Sequence, residues 1–314
     1  MRKEVGRSCG RTFELSKRVG HTAGVMVIGV CVVVVLAGLV AVVRWGGLTV
    51  EPPRTPDPGD PTDPPDPEEP PPVGQVVRRY LWDLNLAVIA GIGAGVVAAG
   101  AGGRLVMRLL AVTAGDGAQG RITEADQVVG RISAGGTLGF VIFTALFFGT
   151  ASGGAYLLLR RWLPAGRAGG LAFGGLLLLL AGTRLEPLRE GNVDFDLVGP
   201  GWVSVVAFSA LVLFHGMLVA ALAGRASRAV PLLAREPRAV AAQAPLLLLA
   251  PLAAVVVLLA LLGVIVVLAT RFHPVVAAWN ARRLVPAGQL VLVLAVLAAL
   301  PGFVSAVSGI LRRG

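Results

Sequence analysis

Seven long stretches of the 314-residue chain contain no charged residue, and shorter polar segments separate them. A helix that crosses the hydrocarbon core of a bilayer needs about 20 consecutive apolar residues. Only helices and closed barrels satisfy the backbone in lipid, and the alternation typical of a barrel strand is absent from this sequence. The pattern therefore predicts an all-α, polytopic transmembrane helix bundle. Its apolar segments are Ala23–Val43, Leu84–Gly103, Thr137–Leu159, Ala168–Glu186, Gly201–Ala223, Leu246–Leu268 and Gly288–Ile310.

The fourth segment is the shortest, because only residues 168–183 are free of charge before Arg184. Seven spans, or six spans with Ala168–Glu186 as a re-entrant segment, both fit the pattern. Basic residues before Ala23 place the N-terminal tail in the cytoplasm, since loops rich in Lys and Arg stay inside. The later arginines are divided almost evenly between the two sides. The orientation of the last six segments therefore stays open.

The chain is predicted to have four parts. Residues 1–22 form a basic cytoplasmic tail, and residues 23–43 form a signal-anchor helix, although the sequence leaves open whether this segment is cleaved. Residues 44–79 contain a run of prolines and acids, which removes backbone donors and predicts a disordered, extended spacer. Residues 80–314 are predicted to form the helical membrane bundle. The spacer and the first span are interpreted as an addition to this bundle.

Composition narrows the class of protein further. Hydrophobic residues make up 55% of the chain and charged residues only 15%, whereas a soluble domain carries nearer a quarter. The net charge of +10 would suggest a nucleic-acid partner in a soluble chain. Here the basic residues lie between spans, so anionic lipids of a bacterial cytoplasmic membrane are the expected partner. Cys9 and Cys31 fall in different environments, and with three scattered histidines they predict no disulfide, metal or cofactor.

Small residues recur every fourth position in three of the segments. This spacing lets helix backbones approach closely, and it predicts that segments two, three and four form the packed centre of the bundle, with a possible homo-oligomer or another membrane protein as partner. Gly93-x-Gly95-x-x-Ala98 imitates a dinucleotide fingerprint, but it lies inside one long apolar run and is interpreted as helix packing. The predicted packing residues are Gly91, Gly95, Ala99, Gly103, Gly149, Gly153, Gly170 and Gly174.

The polar stretch GRITEADQVVGRI, residues 120–132, lies between two apolar segments. Thr123 can cap a short interfacial helix, and the acids at 124 and 126 suit the positive end of such a helix. A functional alternative is that Glu124 and Asp126 pair with Arg104 and Arg108 and form an interaction surface or a gate.

His215 is the ionisable residue deepest within a span, and such groups indicate function by default. The alternative is a neutral imidazole that is hydrogen-bonded to a neighbouring helix. Ser152, in the segment GTASGGAY, makes a membrane-embedded serine–histidine dyad conceivable. The two patches are similar to the intramembrane rhomboid proteases, which use a Gly-x-Ser-Gly serine and a distant histidine. The chain departs from that motif at Thr150, where the family has glycine.

The string GRLVMRLLAVTAG…RITEAD…GGTLGF, with LVGPGW at 197–202, resembles uncharacterised multi-pass membrane proteins of high-GC actinobacteria. This resemblance carries no activity over. The sequence therefore leaves three function classes open. A non-enzymatic accessory or scaffold protein of the cell envelope is the first expectation, a channel or permease for a small solute the second, and an intramembrane hydrolase that uses Ser152 and His215 the third.

Overall fold

The computed structural model describes residues 2–53, 72–124, 128–129, 133–185, 187–189, 191–271 and 284–313. This part of the chain is helical, and its one β interaction is an isolated bridge between Ile122 and Val128. The α-helices are α1 (Arg2–Trp45), α2 (Val73–Ala94), α3 (Gly103–Thr113), α4 (Ala134–Phe143), α5 (Thr150–Leu159), α6 (Arg167–Leu180), α7 (Gly201–Ala229), α8 (Pro237–Ala241), α9 (Ala253–Ala269) and α10 (Leu284–Arg313). Two π-helical turns, Gly95–Gly102 and Thr144–Gly149, join α2 to α3 and α4 to α5.

Five continuous helices in the described residues are long and apolar enough to cross a membrane: Gly24–Trp45, Val73–Thr113, Ala134–Leu159, Gly201–Ala229 and Leu284–Arg313. Two shorter apolar helices, Gly166–Leu180 and Ala254–Ala269, account for the remaining apolar segments of the sequence. The predicted all-α polytopic helix bundle is thereby confirmed.

The first span packs into the bundle and is not an appendage to it. Ala41 and Val42 of α1 are buried in the main core cluster, together with Leu218 and Val219 of α7. The segment after α1 is also held, because the Glu51 amide donates to the Ser227 hydroxyl and Arg228 forms an ion pair with the Glu51 carboxylate. The first span therefore shares a core with the helices that follow residue 80.

Residues 73–79 of the predicted spacer, residues 44–79, are helical. Helix α2 begins at Val73, directly after the last proline of the run, and continues through Tyr80 into the apolar segment. Proline is tolerated before the first helical residue because the donor that it lacks would be unpaired there in any case. Residues 54–71 of the predicted spacer lie outside the described residues.

Segments two, three and four were predicted to form the packed centre, and the main core cluster contains buried residues of all three together with residues of segment five. Helix α2 packs on α5 on one side and on α7 on the other. Segment four, as α6, packs mainly along α7, with Gly170 against Met217 and Gly174 against Leu213. Gly170 and Gly174, two of the predicted packing residues, thus lie at an interface with segment five, which the prediction did not include in the packed centre.

Helix α6 has only 14 residues, and it contacts neighbouring segments near both of its ends. At its start, the Arg167 guanidinium donates to the Val43 carbonyl near the end of α1. Near its end, Leu178 lies in a buried cluster with Phe195 and with Ile310 of α10. These contacts lie at opposite ends of the bundle, so they do not support a re-entrant turn in this segment.

The apolar segment with an irregular path is segment six, Leu246–Leu268, and not segment four. The Val230 carbonyl at the end of α7 accepts from the Trp82 indole, and Gly288 of α10 lies against Trp162 at the same end of the bundle. The chain between α7 and α10 therefore leaves and returns at one end. A helical run through Pro251 was predicted, but α9 begins only at Ala253 after a 3-10 turn at Ala244–Leu249, because proline cannot donate within a helix.

The contact between α2 and α5 is a backbone contact. A Cβ placed on Gly153 would overlap the Ala87 carbonyl oxygen, whereas one on the adjacent Gly154 would meet nothing within 4 Å. We expect Gly153→Val to lower the thermal midpoint of the detergent-solubilised protein, because overpacking a core costs about 1–3 kcal/mol or more. Gly154→Val is the matched control and should unfold like the wild type. Equal midpoints for the two variants would contradict the α2–α5 interface.

Candidate functional site

The structure brings Ser152 and His215 together. Ser152 lies in the first turn of α5, directly after the π-helical turn, and His215 lies in the middle of α7. The Ser152 Oγ is 2.8 Å from the His215 Nε2, and both residues are buried, with exposed fractions of 6% and 8%. Two segments 63 residues apart in the chain thus meet through one hydrogen bond.

The proton positions decide what this pair can do. The Ser152 hydroxyl also donates to the Gly149 carbonyl at 2.8 Å, and a hydroxyl has only one proton to give. When the hydroxyl donates its proton to the Gly149 carbonyl, Ser152 Oγ can only accept a hydrogen bond from the ring. The His215 Nε2–H therefore donates to Ser152 Oγ. Nδ1 then carries a lone pair, and this atom is buried with no hydrogen-bond partner among the described residues. In this arrangement histidine acts as a donor that ties α7 to α5.

Nucleophilic chemistry needs the opposite arrangement. The Ser152 proton would point to Nε2, and Nδ1–H would need an acceptor to hold the ring, as the aspartate does in a Ser-His-Asp triad. The Ala94 carbonyl lies beside the imidazole, although it does not meet hydrogen-bond geometry with Nδ1. Activation of Ser152 as a nucleophile would therefore require His215 to change tautomer and its ring to move.

Thr150 stands where the rhomboid motif has glycine, and its Oγ1 is a buried hydroxyl without a partner in the described part of the chain. Gly149 and Gly153, on either side of Ser152, contact the backbone of α2 at Gly91 and Ala87. The serine is thus enclosed by close helix packing. This placement suits an interhelical clamp better than a hydroxyl facing a substrate path.

The predicted packing residues occupy the interfaces, with different partners. Gly91 and Gly95 contact Gly149 and Ala145, and Gly103 contacts the Phe140 ring. Ala99 is only half-buried in the π-helical turn. Small residues of α7 complete the interfaces, because Gly216 contacts Gly170 and Gly174 of α6.

The predicted surface of Arg104, Arg108, Glu124 and Asp126 does not assemble around Glu124. Arg104 donates to the Gly136 carbonyl and lies 4.6 Å above the Phe140 ring, so it holds α3 against α4. The Glu124 carboxylate pairs instead with Arg189, at 2.6 Å to each carboxylate oxygen. Arg108 is half-buried on α3, and Asp126 lies outside the described residues.

The polar stretch at residues 120–132 is anchored to the loop before α7. The Glu124 amide donates to the Asp194 carboxylate at 2.8 Å, while Asp194 is itself positioned by the Asn192 side chain. Ile122 and Val128, on either side of the predicted start of the interfacial helix, form a β-bridge, and most of that predicted helix lies outside the described residues. We call this assembly of Glu124, Arg189 and Asp194 the loop clamp. Residues 125–127 and 130–132 lie outside the described residues.

Sequence reasoning missed several polar contacts at the opposite end of the bundle. The Trp82 indole donates to the Val230 carbonyl, the Asn85 amide donates to the Ala242 carbonyl at 2.7 Å, and the Tyr80 hydroxyl donates to the Leu259 carbonyl. The available signal was the string YLWDLN before an apolar run, because large polar side chains there need partners in neighbouring segments. Their partners are backbone carbonyls, which no sequence pattern identifies.

Comparisons with protein-family models, with curated proteins and with solved structures found no match. The geometry described above therefore carries the functional argument by itself. Groups of three or more metal-ligating side chains are not found among the residues that the structure describes.

The loop clamp is expected to control the accessibility of Ala118, which is buried against Ala111 and Val129. In an Ala118→Cys variant that lacks Cys9 and Cys31, we expect Glu124→Arg to speed thiol labelling roughly two- to five-fold, since a half-exposed ion pair contributes at most about 1 kcal/mol. Adding Arg189→Glu should restore slow labelling. Asp196→Arg, a charge reversal at an exposed acid nearby, is the control and should leave the rate unchanged. A labelling rate that stays fast after Arg189→Glu is added would contradict the ion pair between Glu124 and Arg189.

Proposed function

We propose that the protein is a non-enzymatic scaffold of the cell envelope, a membrane-embedded bundle that holds itself and its partners in fixed positions. The observation that carries the proposal is the backbone contact between α2 and α5 at Gly91, Gly149 and Gly153, with the Ser152–His215 bond in the same region. A path for a solute between α2, α5 and α7 would have to run through this contact. Helix interfaces closed by small residues and polar bonds favour a rigid assembly over an opening one.

Three of the buried hydroxyl groups support the same proposal. Thr144 donates to the Phe140 carbonyl, Ser227 to the Gly224 carbonyl and Ser152 to the Gly149 carbonyl, so each hydroxyl is used within its own helix turn. Polar groups of a transport pathway must instead exchange partners with a passing solute or ion. The hydrogen bonds of these three residues favour a static role.

The test of this scaffold role is crosslinking in native membranes with a membrane-permeant reagent. We expect the tagged chain to appear in products heavier than its own 32.2 kDa, and reconstituted liposomes to show the same solute flux as empty ones. Gly153→Val should lose the products because the bundle loosens, and Gly154→Val should keep them. A chain that crosslinks to nothing while its liposomes conduct a solute would overturn the scaffold role in favour of a channel or permease.

An intramembrane serine hydrolase is the second candidate, and the 2.8 Å contact between Ser152 and His215 is the observation that favours it. In this alternative His215 would accept the Ser152 proton while the Ser152 oxygen attacks the acyl carbon of a peptide or ester in the membrane. The amine or alcohol would leave with that proton, and water would then hydrolyse the acyl-serine and restore the hydroxyl. The Thr150 departure from the rhomboid motif and the burial of Ser152 speak against it.

A fluorophosphonate probe separates the two candidates. For a scaffold we expect no labelling of Ser152 above the level of Ser227, a buried serine whose hydroxyl likewise donates to the carbonyl three residues earlier but has no histidine beside it. Labelling that disappears in both Ser152→Ala and His215→Ala, and persists in Ser227→Ala, would establish the hydrolase instead. His215→Ala is informative because a dyad loses reactivity without its base, whereas accidental labelling does not.

A further inference from the structure

The two ends of the helical bundle carry different loops. At one end Gly199, directly before α7, contacts Thr113 at the end of α3. We call this the clamp end, because the loop clamp lies in the segments that join these helices. At the other end Arg228, in the last turn of α7, pairs with Glu51 at the beginning of the acid- and proline-rich run. We call this the spacer end.

Helix α1 runs in the same direction as α7. Gly38 lies against Phe214, and Leu48, further along the chain, lies against Gly224, further along α7. Since α7 begins at the clamp end, α1 begins there as well. The basic N-terminal tail and the loop clamp therefore lie on the same side of the bundle.

Helix α10 runs from the spacer end to the clamp end. Gly288, near its start, lies against Trp162, which follows α5 at the spacer end. Near its other end Ile310 lies against Gly201, the first residue of α7, and belongs to the same buried cluster as Phe195. The C-terminal end of α10 is therefore on the side of the N-terminal tail.

Segment six stays near the spacer end. Trp82 of α2 binds the Val230 carbonyl there, and the Tyr80 hydroxyl donates to the Leu259 carbonyl of α9 at 2.6 Å. Helix α9 has 17 residues, so both of its ends lie within about 15 Å of this bond along the helix. Helix α7 spans about 43 Å between the two ends of the bundle. Helix α9 therefore does not reach the clamp end.

The chain from Arg271 to Leu284 cannot change this result. Residues 272–283 lie outside the described residues, but a fully extended chain of this length covers at most about 45 Å. That length is too short to reach the clamp end from α9 and to return to the start of α10. The chain thus leaves α7 and enters α10 on one side of the membrane.

We infer that the protein crosses the membrane six times, through α1, α2–α3, α4–α5, α6, α7 and α10, and that its loop clamp faces the cytoplasm. The side follows from the N-terminal tail, because basic residues beside a first span stay inside. A soluble partner of the loop clamp would then be a cytosolic protein. A soluble partner of the acid-rich run at residues 51–69 would meet it outside. The inference does not depend on whether the protein is a scaffold or a hydrolase.

The test labels single cysteines with a membrane-impermeant maleimide, in sealed right-side-out vesicles and again after detergent is added. The full-length protein without its two native cysteines carries Val193→Cys or Arg312→Cys at the clamp end, or Glu236→Cys or Arg271→Cys at the spacer end. All four positions are exposed. We expect both spacer-end variants to label equally in the two conditions, and both clamp-end variants to label only after detergent.

The pattern of labelling separates the alternatives. Labelling of Arg312→Cys in sealed vesicles, with Val193→Cys protected, would mean that segment six crosses the membrane and would overturn the six crossings. Labelling of Val193→Cys in sealed vesicles, with Glu236→Cys protected, would overturn the cytoplasmic position of the loop clamp. A variant that keeps only Cys31 is the control for exposure, and it should label in neither condition because Cys31 is buried.

Discussion

The fold depends on how closely the backbones of α2 and α5 approach each other. Apolar side chains gain little by leaving lipid for another apolar surface, so helices in a membrane associate through van der Waals packing, hydrogen bonds and small residues. Here Gly91, Gly149 and Gly153 allow carbonyl and α-carbon atoms to touch across the interface. The Ser152–His215 bond becomes possible only because α5 lies this close to the centre, where α7 packs on the other side of α2.

The fold class was predictable because charge-free runs report membrane helices directly, and the spacing of small residues reported which faces pack. The partner of segment four was not predictable, since Gly170 and Gly174 fit any helix with a complementary small-residue face. That face was present in the sequence as Gly216, Ala220 and Gly224, but it is inconspicuous within an alanine-rich run. The path of segment six escaped prediction because hydropathy measures apolarity and does not report where Trp82 and Trp162 fix the ends of neighbouring helices.

The candidate site was partly predictable for a different reason. His215 is an unusual ionisable residue at membrane depth, and its pairing with Ser152 was already one of the possibilities that the sequence raised. Glu124 drew attention too, but its partner Arg189 lies 65 residues away, and sequence reasoning looked only to the nearer Arg104 and Arg108. An interhelical bond such as that of Ser152 and His215 contributes about 0.6 kcal/mol on average in membrane proteins. Its energy is therefore modest, and its main effect is to fix the rotation of α7 relative to α5.

Helix α6 has a consequence for the bilayer itself. Its 14 residues span roughly 21 Å, whereas the hydrocarbon core of a typical bilayer is about 30 Å thick. Arg167 and Arg184 stand at the two ends of its apolar run, and Leu171 is exposed on its outer side. Lipids beside this face must compress to cover it, so the bilayer around α6 is expected to be thinner than elsewhere. The protein would then distribute toward thin regions of the membrane, and its location would follow lipid thickness as well as any protein partner.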